Sequence, residues 1–178
     1  MKCTNCRKIM EQSRGDTNYL EAGLNLKLVG IPVYKCSGCG NEEVGIPAIK
    51  NLHMLITQII ISMPNIKGPQ IKFLRKFLGL TQAELGIQLG GVAPETISKW
   101  ENDAQTPTTQ SIILLKKLAD EHIAREWQEL RSYLAKYDEL ENETHEVTPL
   151  RDFVQQLASK AAKMPSKLVF QGNKYQVA

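Results

Sequence analysis

The chain has 178 residues, of which 42% are hydrophobic and 23% are charged, and its formal net charge is +3. This composition is ordinary for a folded protein, and the length suits one or two domains with a buried core, so disorder is not expected. No run of about eighteen apolar residues occurs, and the N-terminus lacks the apolar segment of a signal peptide, which predicts a cytoplasmic protein without a membrane span. The net charge is too small to indicate nucleic-acid binding by itself.

Four cysteines lie within the first forty residues as two Cys-x-x-Cys pairs, Cys3 with Cys6 and Cys36 with Cys39. Each pair presents two thiolates on one side of a tight turn, and two such turns can form a tetrahedral cage. In a reducing compartment this spacing favours a metal over two disulfides. We predict structural Zn²⁺, because four thiolates leave no position for water or substrate. Iron in a rubredoxin-like site and a redox dithiol are the alternatives.

Between the two pairs, residues 19–34 have strand character, with Leu24, Leu26 and Leu28 in alternation. A sheet this small cannot hold itself without help, and structural zinc can supply on the order of 10 kcal/mol. Residues 47–63 then carry apolar side chains at helical spacing. Prolines and a glycine in residues 64–69 predict a linker. The first domain is therefore expected to be a zinc-binding domain over residues 1–63, with a trailing helix.

Residues 70–120 read as a helical domain whose centre is a helix-turn-helix. A first helix is predicted over residues 70–78. Thr81 is placed to cap the second helix, and Gly90 and Gly91 end it by allowing positive φ. A third helix starts near Pro94 and is expected to bury Ile97 and Trp100 on one face. A fourth begins near residue 108 or 109.

Side chains on and near the third helix are the expected DNA contacts: Arg75, Lys76, Gln82, Glu95, Thr96, Ser98 and Lys99. Lys99 can donate to guanine, and Thr96 can contact a thymine methyl group. Glu95 ranks lower, because an unpaired carboxylate near phosphates is unfavourable. Arg75 and Lys76 are expected to face outward, near phosphates, as is Gln82. One such domain buries too little surface for tight binding, so a homodimer on two half-sites of double-stranded DNA is expected.

Residues 121–178 are predicted to be a helical extension with a role in dimerisation. A long helix reaches about residue 143 and carries a short coiled-coil-like seam of Ile123, Trp127, Leu130, Leu134 and Tyr137. Packing of this helix on its own domain is an equally good interpretation. An acidic run follows at residues 138–146, a second helix starts at Thr148, and residues 168–177 read as a small β-hairpin.

Several residues of the helix-turn-helix resemble the Xre/Cro family: Gln82, Gly86 and residues 96–101. The Gly90-Gly91 turn is one residue longer than the usual family spacing. With Met1-Lys2-Cys3 and the paired cysteines, residues 1–120 resemble zinc-finger/helix-turn-helix antitoxins of the MqsA or YgiT type. The resemblance implies that the zinc domain binds an mRNA-cleaving toxin and that the second domain dimerises on the promoter of its own operon.

The predicted fold is mainly α, with a small α+β zinc-binding domain, a lambda-repressor-like helix-turn-helix bundle and a helical extension. An enzyme is not expected, because the histidines are scattered and no phosphate-binding glycine loop occurs. The leading interpretation is an antitoxin that represses its own operon. The alternatives are a stand-alone regulator of phage or mobile-element type, and a zinc-dependent adaptor that has lost DNA binding.

Overall fold

The computed structural model describes residues 1–138, 167–171 and 174–177, and the chain forms two compact units. The first unit takes in residues 1–53 and 165–178, and the second takes in residues 54–164. A small sheet beside the cysteines is followed by helices, which confirms the predicted fold class. Among the described residues, no helix combines the length and the apolar character that crossing a membrane would require.

In the part of the first unit that the structure describes, five strands form one sheet, with β1–β2–β4–β5 in order and β3 paired to β2. Their bounds are β1 Glu11–Tyr19, β2 Leu26–Lys35, β3 Glu42–Val44, β4 Lys167–Gln171 and β5 Lys174–Val177. Strand β2 is central, because β1 pairs along one edge while β3 and β4 share the other. Its inward side chains, including Leu26, Leu28 and Ile31, are almost completely buried. The core of this unit therefore lies against β2.

A β-bulge interrupts the antiparallel pairing of β1 with β2. The register shifts between Gly15 and Thr17, and opposite this point Gly30 has a φ of 74°. The carboxylate of Asp16 accepts a hydrogen bond from the backbone N–H of Gly30 and lies 2.8 Å from the Lys27 ammonium. Because glycine adopts positive φ without steric cost, the alternation of β2 can reverse here while the strand continues.

The hairpin expected near the C-terminus is present and belongs to the first unit. Strand β4 pairs in parallel with β2, with Leu168 opposite Leu28, and β5 returns antiparallel to β4. Leu168 has no exposed surface. The first unit thus combines residues 1–53 with β4 and β5, whereas the sequence placed the hairpin in a separate extension.

The helices are α1 Ile49–Ser62, α2 Gly68–Phe77, α3 Gln82–Gln88, α4 Pro94–Glu101 and α5 Thr109–Asp138. Helix α1 runs across the division between the units, at residues 53 and 54, so this division differs from the linker predicted at residues 64–69. Gly68 and Pro69, which the sequence placed in that linker, form the first turn of α2. In the second unit, Ile71, Phe73, Leu74 and Leu115 are among the buried core residues.

Helix α5 is continuous through the region in which the seam was predicted. Ile123, the first seam residue, is 3% exposed within its own chain. The helix predicted to start at Thr148 and the acidic residues after Asp138 lie outside the described residues. The dimerisation role of residues 121–178 stays a prediction.

We predict that Leu168→Ala lowers the unfolding free energy of the first unit by about 3 kcal/mol, since it leaves a cavity in a closed core. Hydrogen exchange of the β2 amides should accelerate, while amides of α2 to α5 keep their protection. Lys167→Ala, one residue earlier and exposed, is the matched control and should change neither. Unchanged β2 protection in Leu168→Ala would show that the hairpin does not contribute to this unit.

Candidate functional site

Two short turns, which we call the knuckles, hold the four cysteines and share one backbone geometry. In the first knuckle, residues 3–8, the N–H of Cys3 donates to the carbonyl of Lys8 and the N–H of Arg7 donates to Cys3. In the second, residues 36–41, the N–H of Cys36 donates to Asn41 and that of Gly40 to Cys36. Each knuckle therefore closes with the same pair of bonds, and Lys8 is the positional equivalent of Asn41.

The residue after the second cysteine of each knuckle is left-handed. Gly40 has a φ of 72°, and Arg7, its equivalent, has a φ of 62°. Left-handed backbone costs a side-chain-bearing residue roughly 1 kcal/mol or more, but glycine adopts it freely. The left-handed conformation is therefore unfavourable for Arg7 in the first knuckle, whereas Gly40 adopts it in the second knuckle without strain.

The four sulfur atoms lie in one cluster. The Sγ atoms of Cys3 and Cys39 are 3.6 Å apart, those of Cys6 and Cys36 are 3.3 Å apart, and all four lie within 4.8 Å of one another. A tetrahedral metal with sulfur ligands at about 2.3 Å would set its sulfurs about 3.8 Å apart. The predicted cysteines therefore form a cluster that could hold one metal ion.

The hydrogen bonds within the cluster shift the pKa values of the cysteine thiols in both directions. The backbone N–H of Cys6 lowers the pKa of the Cys3 thiol to about 6. The Cys6 thiol hydrogen-bonds to Cys36, which lowers the pKa of Cys36. The backbone N–H of Lys8 lowers the pKa of the Cys6 thiol, but its hydrogen bonds with Cys36 and Cys39 outweigh this and raise that pKa to about 12. Thiolates, not thiols, are metal ligands, so the pKa shifts favour the binding form at Cys3 and Cys36 and oppose it at Cys6. Cys3 and Cys36 are buried with Met10, while Cys6 and Cys39 are exposed.

In the second unit, α3 and α4 form the predicted helix-turn-helix. The hydroxyl of Thr81 accepts from the N–H of Glu84, and the Glu84 carboxylate accepts from the N–H of Thr81, which is the expected capping box. Gly90 and Gly91 have φ values of 89° and 91°. The extra residue of the turn is accommodated because both glycines are left-handed.

Gly86 lets the turn approach α3 closely. Its carbonyl accepts from the N–H groups of Gly91 and Val92. A methyl group on Gly86 would lie 2.0 Å from the carbonyl oxygen of Val92, far inside contact distance. Glycine is needed here for close packing, as its unfavourable helix propensity suggested.

Glu101, at the end of α4, joins three helices through a buried cluster. Its carboxylate accepts two hydrogen bonds from Arg75 of α2, at 2.5 and 3.1 Å, and one from Gln82 of α3 at 2.9 Å. The side chains of Arg75 and Glu101 are only 13% and 3% exposed. Burial raises the pKa of Glu101, but the bonds from Arg75 and Gln82 outweigh it and hold that pKa below its usual value.

The prediction that Arg75 faces outward is therefore wrong. Its guanidinium also donates to the carbonyl of Leu80, so its hydrogen-bonding groups point into the protein. Gln82 likewise directs its amide N–H to Glu101. The prediction assumed that a charged side chain on an amphipathic helix faces solvent. Arg75 does not, because the buried carboxylate of Glu101, on another helix, accepts its hydrogen bonds.

The remaining predicted contact residues stay accessible. On α4, Glu95 and Lys99 are exposed, and Thr96 and Ser98 are half-buried. Lys76 of α2 is exposed. The opposite face of α4 is buried, with Ile97 at 0% and Trp100 at 4% exposure, as expected. One face of α4 is thus packed, and the other presents polar and basic groups.

Sequence reasoning missed two groups of residues. Glu101 falls on the same helical face as Ile97, four residues earlier, and this spacing could have indicated a buried carboxylate in need of a cation. Asn41 and Glu43, which hydrogen-bond beside the cysteines, gave no comparable signal. Their contacts depend on the folded position of the second knuckle.

This arrangement, a packed helix pair with an exposed polar face, defines a helix-turn-helix of the kind that binds DNA. Residues 71–121 match the Helix-turn-helix family, in agreement with the Xre-type motif predicted from the sequence. The match supports a DNA-binding transcriptional regulator that binds double-stranded DNA. No curated protein matches the chain.

We predict that Glu101→Gln lowers the unfolding free energy of the second unit by about 2 kcal/mol at pH 7, because a charged acceptor for Arg75 is lost. The lowered pKa of Glu101 stabilises the folded state fully above its ordinary value of 4.5, and this contribution is lost as the pH falls through the lower folded value. The difference between the two proteins should therefore shrink in acid.

Denaturant unfolding between pH 7 and pH 3, followed by the fluorescence of Trp100 and Trp127, measures this effect. Glu121→Gln removes an exposed carboxylate on α5 and is the control, with little change expected. A constant difference between Glu101→Gln and the unmodified chain across the pH range would contradict the role given to the ion pair.

Proposed function

We propose that the chain is a cytoplasmic transcriptional regulator whose α4 lies in the major groove of its operator, and that its first unit is a structural zinc domain. The proposal that the chain binds DNA is supported by one observation above all: α4 has one packed face and one exposed face. Ile97, Trp100 and Glu101 fix the helix in the protein. Lys99 and Glu95 project from the other side.

Base contacts fall to the exposed face of α4. Lys99 donates to guanine, Thr96 contacts a thymine methyl group, and Ser98 binds a base or a phosphate. Glu95 accepts from cytosine, although neighbouring phosphates disfavour it. Lys76 binds the phosphate backbone.

Arg75 and Gln82 were predicted to contact phosphates, and we assign them a structural role instead. Because both hydrogen-bond to Glu101, they orient α4 instead of offering free donors to DNA. Their effect on DNA binding is then indirect, through the angle at which α4 is presented. A homodimer supplies the second half-site, since one such unit buries too little surface for tight binding.

Zinc is the metal we assign to the thiolate cluster. Four sulfur ligands with this compact spacing suit tetrahedral Zn²⁺ and close its coordination sphere. The bound ion would hold the two knuckles together and thereby stabilise the small sheet. It would have no catalytic part, since no ligand position stays open for a substrate.

The proposed biological role is that of an antitoxin of the MqsA type. A closed four-thiolate cluster and a helix-turn-helix in one chain support it. In this role the zinc domain binds a toxin protein, and the helix-turn-helix represses the operon that encodes both.

Two variants separate these activities in one experiment. The full chain is co-expressed with the product of the adjacent gene, and growth, co-purification and promoter binding are measured. Cys6→Ser/Cys39→Ser should lose the partner and keep DNA binding, whereas Lys99→Ala should keep the partner and lose DNA binding. Failure of the unmodified chain to bind or neutralise that product would overturn the antitoxin role and leave a stand-alone regulator.

Lys99→Ala should weaken binding to the chain's own promoter about 5- to 150-fold, the size expected for one lost base contact of about 1–3 kcal/mol. The melting temperature should stay the same, because the side chain is exposed. Lys117→Ala, which removes an exposed lysine of α5 that lies 3.8 Å from Glu121, is the matched control and should bind as before. Equal losses in both variants would show that only overall charge matters.

A further inference from the structure

A hydrogen-bonded network lies beside the thiolate cluster and joins the two knuckles. Asn41 closes the second knuckle, and its side-chain Nδ2 lies 3.7 Å from the Sγ of Cys3, in the first. The same nitrogen lies 3.0 Å from Oε1 of Glu43. An amide from one knuckle thus points at a sulfur of the other.

Glu43 is fixed in turn by the first knuckle. Its Oε1 accepts from the hydroxyl of Thr4 at 2.7 Å and from the backbone N–H of Thr4 at 3.0 Å. One carboxylate oxygen therefore holds Thr4, which follows Cys3, and Asn41, which follows the second cysteine pair. The orientation of the Asn41 amide is set by Glu43 and not by solvent.

Cys3 needs this donor more than the exposed cysteines do. Its side chain is 1% exposed, so water cannot hydrate the sulfur, and a buried charge without hydrogen bonds is costly. Four thiolates around a divalent ion carry a net charge of −2, which N–H donors stabilise. In metal sites generally, such outer partners fix the ligands and tune the metal.

We propose that Asn41, oriented by Glu43, is a positioning residue for the Cys3 thiolate and sets the metal affinity of the cluster. This inference rests on the proposed metal centre. Glu43 acts through Asn41 and through Thr4, so one carboxylate secures the sulfur donor and the approach of the two knuckles at the same time.

The test uses the full chain loaded with Co²⁺, whose sulfur-to-metal absorption reports on the thiolates, and with Zn²⁺ in competition with a chelator. Asn41→Ala and Glu43→Ala should each weaken zinc binding about 10- to 100-fold. Asn41→Ala should also shift the cobalt–thiolate absorption band. The band is measured only on protein that has bound Co²⁺, so that a lower metal affinity does not affect its position. Glu43→Gln should restore most of the affinity, because its amide oxygen still accepts from Asn41 and Thr4.

Asn5→Ala is the matched control, since Asn5 is an exposed amide inside the first knuckle. It should leave both the affinity and the band unchanged. Should Asn41→Ala take up no metal at all, Asn41→Ser replaces it in the band measurement. In the double variant Asn41→Ala/Glu43→Ala, the loss of zinc affinity should be smaller than the sum of the two single losses, because the two residues act together.

The outcomes separate this inference from the metal centre itself. If the unmodified chain binds neither Zn²⁺ nor Co²⁺, the metal centre is wrong and the inference falls with it. If it binds both ions while Asn41→Ala and Glu43→Ala match it in affinity and spectrum, only the role of Asn41 is overturned. Equal band shifts in Asn5→Ala and Asn41→Ala, or fully additive losses, would also overturn that role.

Discussion

The cluster of four cysteines brings the two knuckles of the first unit together, and we propose that a metal holds them there. Its two knuckles lie at the start of β1 and at the end of β2, where Glu11 pairs with Lys35, so a metal held between them would fix that end of the longest strand pair. The chain then supplies β4 and β5 from its far end to cover the second edge of β2. The sheet buries apolar side chains along β2, and a bound metal would add to the stability that this burial gives.

In the second unit, a buried ion pair between Arg75 and Glu101 joins helices α2 and α4. Glu101 accepts hydrogen bonds from α2 and α3, so α4 is anchored at its C-terminal end by two neighbouring helices. Gly86 allows the backbone of Val92, in the turn, to pack closely against α3. A buried ion pair adds little net stability compared with apolar packing, but it is costly to break. Here it fixes the direction of α4 and hence of Lys99.

Much of this could be predicted from local patterns. The paired cysteines, the Thr81 cap, the left-handed glycines and the C-terminal hairpin each depend on a few neighbouring residues. Strand β1 could not be found in this way, because its side chains are mostly polar and it forms by pairing with β2. Contacts between residues far apart in the chain could not be predicted either, because no local pattern indicates them. The pairing of β4 with β2, the inward turn of Arg75 and the bond from Asn41 to Cys3 join positions far apart in the chain.

Metal removal followed by hydrogen exchange tests the central claim, that a metal-dependent sheet and an independent helix-turn-helix share one chain. We expect chelation to remove protection from β1, β2 and the hairpin of residues 167–177 together, while α2 to α5 keep theirs and promoter binding persists. If the hairpin and β2 keep their protection after the metal is gone, or if the helices lose protection with the sheet, the account is contradicted.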